Sequence, residues 1–146
     1  MARGKVLIIE DDKDWQVNLR KYLEEAGFFT EIVSTLEDGL QKIKNENFHF
    51  ATIDLQLDED TNLPSEFEGW KILEEIVKYR AERTMPTMVI TGFDRDYVEL
   101  KKLKNLSATF FMPKKTFDKK KFLETVITAV EYLNVRFYED KKNKLS

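Results

Sequence analysis

The stretch Val6-Leu7-Ile8-Ile9-Glu10-Asp11-Asp12 decides how the rest of the chain reads. Four aliphatic residues in unbroken succession fit a strand buried on both faces, as in a parallel sheet; a strand with one wet face would alternate. The run ends abruptly in three acids, which marks where the chain leaves the core. Trp15, Leu19, Tyr22, Leu23 and Ala26 then recur at helical spacing, and Gly27 provides the stop.

The same alternation continues to the end of the chain. Phe28 to Val33 is a second strand candidate, and Ser34 or Thr35 caps a helix with Leu36, Leu40 and Ile43 on one face. Phe48 to Leu55 reads as a third strand, with Asp54 near its C-terminal end. Gln56 to Glu68 has no apolar period and reads as a long acidic loop. A helix resumes with Trp70, Ile72, Leu73, Ile76, Val77 and Tyr79. Pro86 precedes a fourth strand, Thr87 to Thr91, closed by Gly92. A more polar helix carries Tyr97, Val98, Leu100 and Leu103. Ala108 to Met112 is a fifth strand ended by Pro113, and the last helix carries Phe122, Leu123, Val126, Ile127, Val130, Leu133 and Phe137. Residues 1–140 form one domain and 141–146 a polar tail that frays. Five strands alternating with five helices predict one α/β domain, with parallel strands, right-handed crossovers and helices on both faces.

Composition removes several classes of function. The 146 residues are 42% hydrophobic and 35% charged, enough for one core and unlike disordered or Pro-rich chains. No cysteine is present, which excludes disulfides, thiolate zinc sites and cysteine nucleophiles. His49, the single histidine, reads as structural or exposed rather than catalytic. The net charge of −3 offers no cationic field for nucleic acid. Lys101, Lys102, Lys104 and the lysines from Lys114 to Lys121 give the last two helices a basic character that reads as a solvated face. Trp15 and Trp70 sit at apolar helical positions and read as packing residues. No apolar run approaches the roughly 18 residues of a membrane span. The N-terminus leads into too short an apolar stretch for a signal peptide. A soluble, cytoplasmic protein is expected.

In an open α/β sheet the functional crevice lies beyond the carboxyl ends of the strands. The first strand delivers Glu10, Asp11 and Asp12 there, the third Asp54, the fourth Thr91, and the fifth Met112 followed by Lys114 and Lys115. A single acid at a strand end is ordinary solvated surface. Two deeply buried strands delivering acids to one edge are more specific, because such carboxylates repel unless a cation neutralises them. Oxygen donors without His or Cys suit a hard ion, and Mg²⁺ is the cellular default.

These pieces, together with Ala51-Thr52-Ile53-Asp54-Leu55, Val89-Ile90-Thr91-Gly92 and Phe110-Phe111-Met112-Pro113, resemble the receiver domain of bacterial two-component response regulators. The resemblance covers roughly residues 4–135. It implies the flavodoxin-like, CheY-like fold, a doubly wound five-stranded parallel sheet of order 2-1-3-4-5. It also implies Asp54 as phosphoacceptor, and Mg²⁺ held by Glu10, Asp11, Asp54 and the backbone carbonyl of Gln56. Thr91 would contact the phosphoryl group and act as the switch. The implied partners are a sensor histidine kinase or phosphotransfer protein, a downstream protein target, and a homodimer through the last two helices; nucleic acid and membrane are not implied. A phosphoryl acceptor of this kind is not a turnover enzyme. It would act alone through protein contacts or as the receiver part of a longer protein.

Three features depart from that pattern. The family's Lys-Pro after the fifth strand reads Met112-Pro113 here, and a thioether supplies no charge. Lys114 or Lys115 could replace that lysine only by folding back over the proline; Lys114 is the expected substitute. The aromatic position three residues before the lysine falls on Thr109, and a one-residue slip to Phe110 would change the face it occupies. Asp54 and Gly69 stand fifteen residues apart, leaving an acidic loop that reads as a surface insertion. Phe93 would flank the phosphate and slow its hydrolysis. Two alternatives compete: a pseudo-receiver that binds proteins without phosphorylation, which Met112 and Thr109 favour, and a small Mg²⁺-dependent phosphotransfer enzyme, which lacks the expected Asp-x-Asp at Asp54-Leu55-Gln56.

Overall fold

The computed structural model describes residues 3–54, 75–76, 78–79, 85–92 and 109–145. Five strands, β1 (Gly4–Ile9), β2 (Phe28–Val33), β3 (Phe50–Ile53), β4 (Thr87–Thr91) and β5 (Thr109–Pro113), form one parallel sheet of order β2-β1-β3-β4-β5. Helices α1 (Lys13–Glu25), α2 (Leu36–Asn45) and α3 (Lys119–Leu145) are complemented by helical backbone at 75–76 and 78–79. This is the doubly wound, CheY-like arrangement that the sequence implied. Much of the helix expected around Trp70, the polar helix expected around Leu100 and the loop 56–68 lie outside the described residues. No described helix is long and apolar enough to cross a membrane.

Each side of the sheet buries its own apolar cluster. On one side Leu7, Ile9, Ala51, Ile53 and Val89 meet Leu36, Leu40 and Ile43 of α2, with Ile76 and Met85. On the other, Val6, Ile8, Phe50, Met88, Ile90 and Met112 meet Leu19 and Leu23 of α1 and Phe122, Val126 and Val130 of α3. Alternate residues of β1 thus serve opposite clusters, which is why Val6 to Ile9 are all aliphatic and all at most 1% exposed. Each large aliphatic side chain buried in this way contributes about 1.5–3 kcal/mol relative to an exposed one.

The helix boundaries have local causes. Asp12 caps α1: its Oδ1 accepts from the backbone N–H of Asp14 at 2.9 Å and of Trp15 at 3.1 Å. Gly27, at φ 96°, ends the helix in a conformation other residues resist. Thr35, of the two candidate caps, starts α2 by accepting from Asp38 N–H at 3.1 Å. Farther along, Lys5 and Lys42 both pair with Glu31 and Glu46, clipping the end of α2 to the sheet. Gly39 lets α2 lie close on β1, since a Cβ there would come within 2.3 Å of Ile9 Cδ1. Gly39→Ala is therefore expected to lower stability by about 1 kcal/mol net, overpacking against the buried Ile9 side chain outweighing the roughly 1 kcal/mol of helix propensity gained, measured by urea unfolding.

The structure corrects three boundaries. β3 pairs only from Phe50, opposite Val6, and not from Phe48. Phe48 is apolar for another reason: it is buried in the α2-side cluster, with Lys5 Nζ 4.9 Å above its ring. β5 runs to Pro113, not Met112, because it is the edge strand and can accept a residue without an N–H. Helical backbone continues in α3 to Leu145, through most of the segment read as a frayed tail.

Candidate functional site

Register brings the acids together. Ile9 pairs with Ile53, so the next residues, Glu10 and Asp54, leave neighbouring strands at the same level. Two backbone bonds hold that level: Asp54 N–H donates to Ile9 O at 3.0 Å, and Glu10 N–H to Val33 O at 3.0 Å. Glu10 and Asp54 are only 2% and 3% exposed, whereas Asp11 is exposed. One carboxylate oxygen from each of Glu10, Asp11 and Asp54 lies within 4.8 Å of the others.

Lys114 supplies the countercharge. Its Nζ lies 2.7 Å from Glu10 Oε1 and donates a hydrogen bond to Asp54 Oδ2 at 3.0 Å. The expected replacement for the family lysine is thus the residue on the aspartate, and the reading of Met112 as occupying the lysine's place is corrected. Met112 is a core residue of the α1 side. Because β5 extends to Pro113, Lys114 is the first residue beyond the strand and opens a short 3-10 turn, Lys114–Thr116, that brings its stem back over the sheet edge. Lys114, the expected substitute, thus stands two positions beyond Met112, onto which the family's Lys-Pro was aligned. Counted three residues back from Lys114, the residue is Phe111 and not Thr109, and Phe111 is half-buried against the α2-side cluster. A two-residue slip keeps every side chain on its face, whereas the one-residue slip to Phe110 would not. The spacing Phe111-Met112-Pro113-Lys114, an aromatic three residues before a lysine, is the signal in the sequence for this alignment.

Burial, followed by the hydrogen bond and charge of neighbouring Asp54, pushes the Glu10 carboxyl up to about 8, although Lys114 and the Asp12 N–H pull the other way. That N–H donates to Glu10 Oε2 at 3.1 Å. For Lys114, burial is the largest single influence and lowers its pKa. Hydrogen bonding to Glu10 and the charge and hydrogen bond of Asp54 together outweigh it, so the ammonium form is favoured.

The donor chemistry fits a hard divalent cation: three carboxylates converge with no His or Cys among them. A cation bound there would share Glu10 and Asp54 with Lys114. Thr91 closes β4 opposite Pro113, at the same edge of the sheet. Gln56 and Phe93 lie outside the described residues. His49 stands elsewhere and has a structural task, its Nδ1 accepting from the Lys5 backbone N–H at 3.0 Å.

Comparison with known proteins agrees with this geometry. The profile of the response regulator receiver domain matches residues 6–127. The photosynthetic apparatus regulatory protein RegA of Rhodobacter capsulatus is 32% identical over 88 residues, 60% of this chain and 43% of that protein. The transcriptional activator protein IrlR of Burkholderia pseudomallei (strain 1026b) is 30% identical over 90 residues, 62% of this chain and 35% of that protein. The matches thus span less than half the length of these relatives. Among solved structures, the CheY-like receiver domain protein from Methanospirillum hungatei JF-1 superposes with a TM-score of 0.71 at 24% identity, covering 90% of this chain and 97% of that one. The chain belongs to the response regulator receiver domain family of two-component systems. Receiver domains are signalling modules rather than turnover enzymes.

Proposed function

We propose that this chain is a phosphoryl-accepting receiver whose nucleophile is Asp54. The observation that carries this reading is the buried Asp54 carboxylate, hydrogen-bonded to Lys114 at 3.0 Å and grouped with Glu10 and Asp11 at the carboxyl edge of the sheet. A carboxylate oxygen of Asp54 attacks phosphorus. The bond from phosphorus to the donor breaks, the donor leaves with its electron pair, and an acyl phosphate remains. Lys114, already fixed at Asp54, meets the charge that builds on the phosphoryl oxygens. Thr91 contacts the transferred group, and Gly92 leaves room for the donor.

Glu10, Asp11, Asp54 and the backbone carbonyl of Gln56 would hold Mg²⁺, which when bound neutralises phosphoryl oxygens. The donor is a sensor histidine kinase or phosphotransfer protein, and the phosphorylated form signals to a downstream protein in the cytoplasm. Inward movement of Thr91 toward the phosphate, followed by Phe111, supplies the surface change, and the last two helices supply a homodimer contact. The pseudo-receiver reading rested on Met112 and Thr109; with Lys114 on Asp54, neither residue favours it.

Borohydride reduction of the protein after treatment with acetyl phosphate and Mg²⁺ tests the assignment. Reduction converts an aspartyl phosphate to homoserine, and peptide mass spectrometry is expected to find that change at position 54 only. A change at any other aspartate would reject Asp54 as the acceptor.

A further inference from the structure

Lys114 reaches Asp54 from beyond a proline, on a long and flexible stem that has many other places to go. Besides Glu10 and Asp54, its ammonium group has a third neighbour. The ring of Trp15, in the first turn of α1, has its centroid 4.9 Å from Nζ, a cation–π distance. The ring packs against a neighbour: the indole meets Phe117 edge-on at 5.1 Å and 87°. The backbone N–H of Trp15 donates to the α1 cap, Asp12 Oδ1, which fixes the backbone from which the side chain projects. Phe117 closes the turn that Lys114 opens, its N–H donating to Lys114 O at 3.3 Å, and it is packed in turn against Tyr22 and Phe122.

We infer that Trp15 is a positioning residue, whose indole face holds the Lys114 ammonium against Asp54 and so fits a lysine displaced past the proline to the phosphoryl-transfer site. The inference rests on the reading of Asp54 as phosphoacceptor. A role in packing alone would make Trp15 replaceable by any apolar side chain of similar bulk. A positioning role requires a π face and requires Lys114.

The experiment follows acyl phosphate formation with acetyl phosphate and Mg²⁺ in the wild-type protein, Trp15→Leu and Trp15→Phe, and repeats Trp15→Leu in a Lys114→Ala background. Trp15→Leu is expected to slow phosphorylation about tenfold, with Trp15→Phe staying close to wild type. In the Lys114→Ala background, Trp15→Leu is expected to add no further loss. Equal slowing by Leu and Phe, or the same slowing with and without Lys114, would overturn the positioning role. Normal uptake in Trp15→Leu would do so as well. Wild-type protein that takes up no phosphoryl group would instead overturn the reading of Asp54, and the positioning role with it. NMR of ε-labelled lysine in the wild-type protein gives a readout that does not depend on a variant folding: the Lys114 ε-protons are expected upfield of the other lysines, shifted by the indole ring current. An unshifted Lys114 signal would overturn the inference.

Discussion

Lys114→Met is expected to slow acyl phosphate formation at Asp54, the proposed acceptor, by about 100-fold and to lower stability by about 3 kcal/mol near neutral pH. Both effects follow from one contact set. The ammonium lies 2.7 Å from Glu10 and 3.0 Å from Asp54, and these carboxylates are almost wholly buried. Methionine keeps most of the stem and removes the charge, leaving two acids facing each other in a site with little water. Breaking a buried pair on one side is costly because the remaining charge is uncompensated. The rate is expected to fall because no fixed cation would meet the phosphoryl oxygens. A time course with acetyl phosphate measures the first effect and urea unfolding the second. Wild-type rate in Lys114→Met would show that the lysine is a structural counterion alone.

Glu10→Gln is expected to remove most of the pH dependence of stability in metal-free buffer. The Glu10 carboxyl is raised from 4.5 to about 8 by burial first and by Asp54 next. A carboxyl with a raised folded-state pKa favours the folded protein in its protonated form. That contribution is complete below about pH 4.5 and is lost as the pH rises through about 8. The wild-type protein is therefore expected to unfold at a lower temperature at about pH 9 than at about pH 6, and the glutamine variant to lose most of that slope. At the higher pH, Glu10→Gln should gain about 1–2 kcal/mol, each worth some 3 °C in a chain of this size. Thermal unfolding at the two pH values, with a chelator present, measures it. A variant with the wild-type slope would assign the dependence to other groups.

What was legible in the sequence was set by burial. β1, β2, β4 and the end of β3 announce themselves because their side chains serve the core on one or both faces; Glu10 and Asp11 follow where β1 ends, Asp54 where β3 ends, and Thr91 is the last residue of β4. Where burial and strand pairing part company, the reading went astray. Phe48 is buried without belonging to β3, since its ring fills the space under α2. Pro113 belongs to β5 although proline signals a stop, because an edge strand leaves its N–H side unused. That one residue obscured how Lys114 reaches Asp54: with the strand ending at Met112, the expected substitute had to fold back over the proline, whereas it directly follows a strand that ends at Pro113. The Trp15 contact was illegible for a different reason. Its apolar position on α1 is accounted for by packing, and only the turn after β5 brings an ammonium group to its face.

Intact-mass spectrometry of the wild-type protein and Asp54→Ala, each incubated with phosphoramidate and Mg²⁺, tests the central claim most directly. The account predicts a gain of one phosphoryl group in the wild-type chain and none in the variant. No gain in the wild-type chain, or an equal gain in Asp54→Ala, would contradict it.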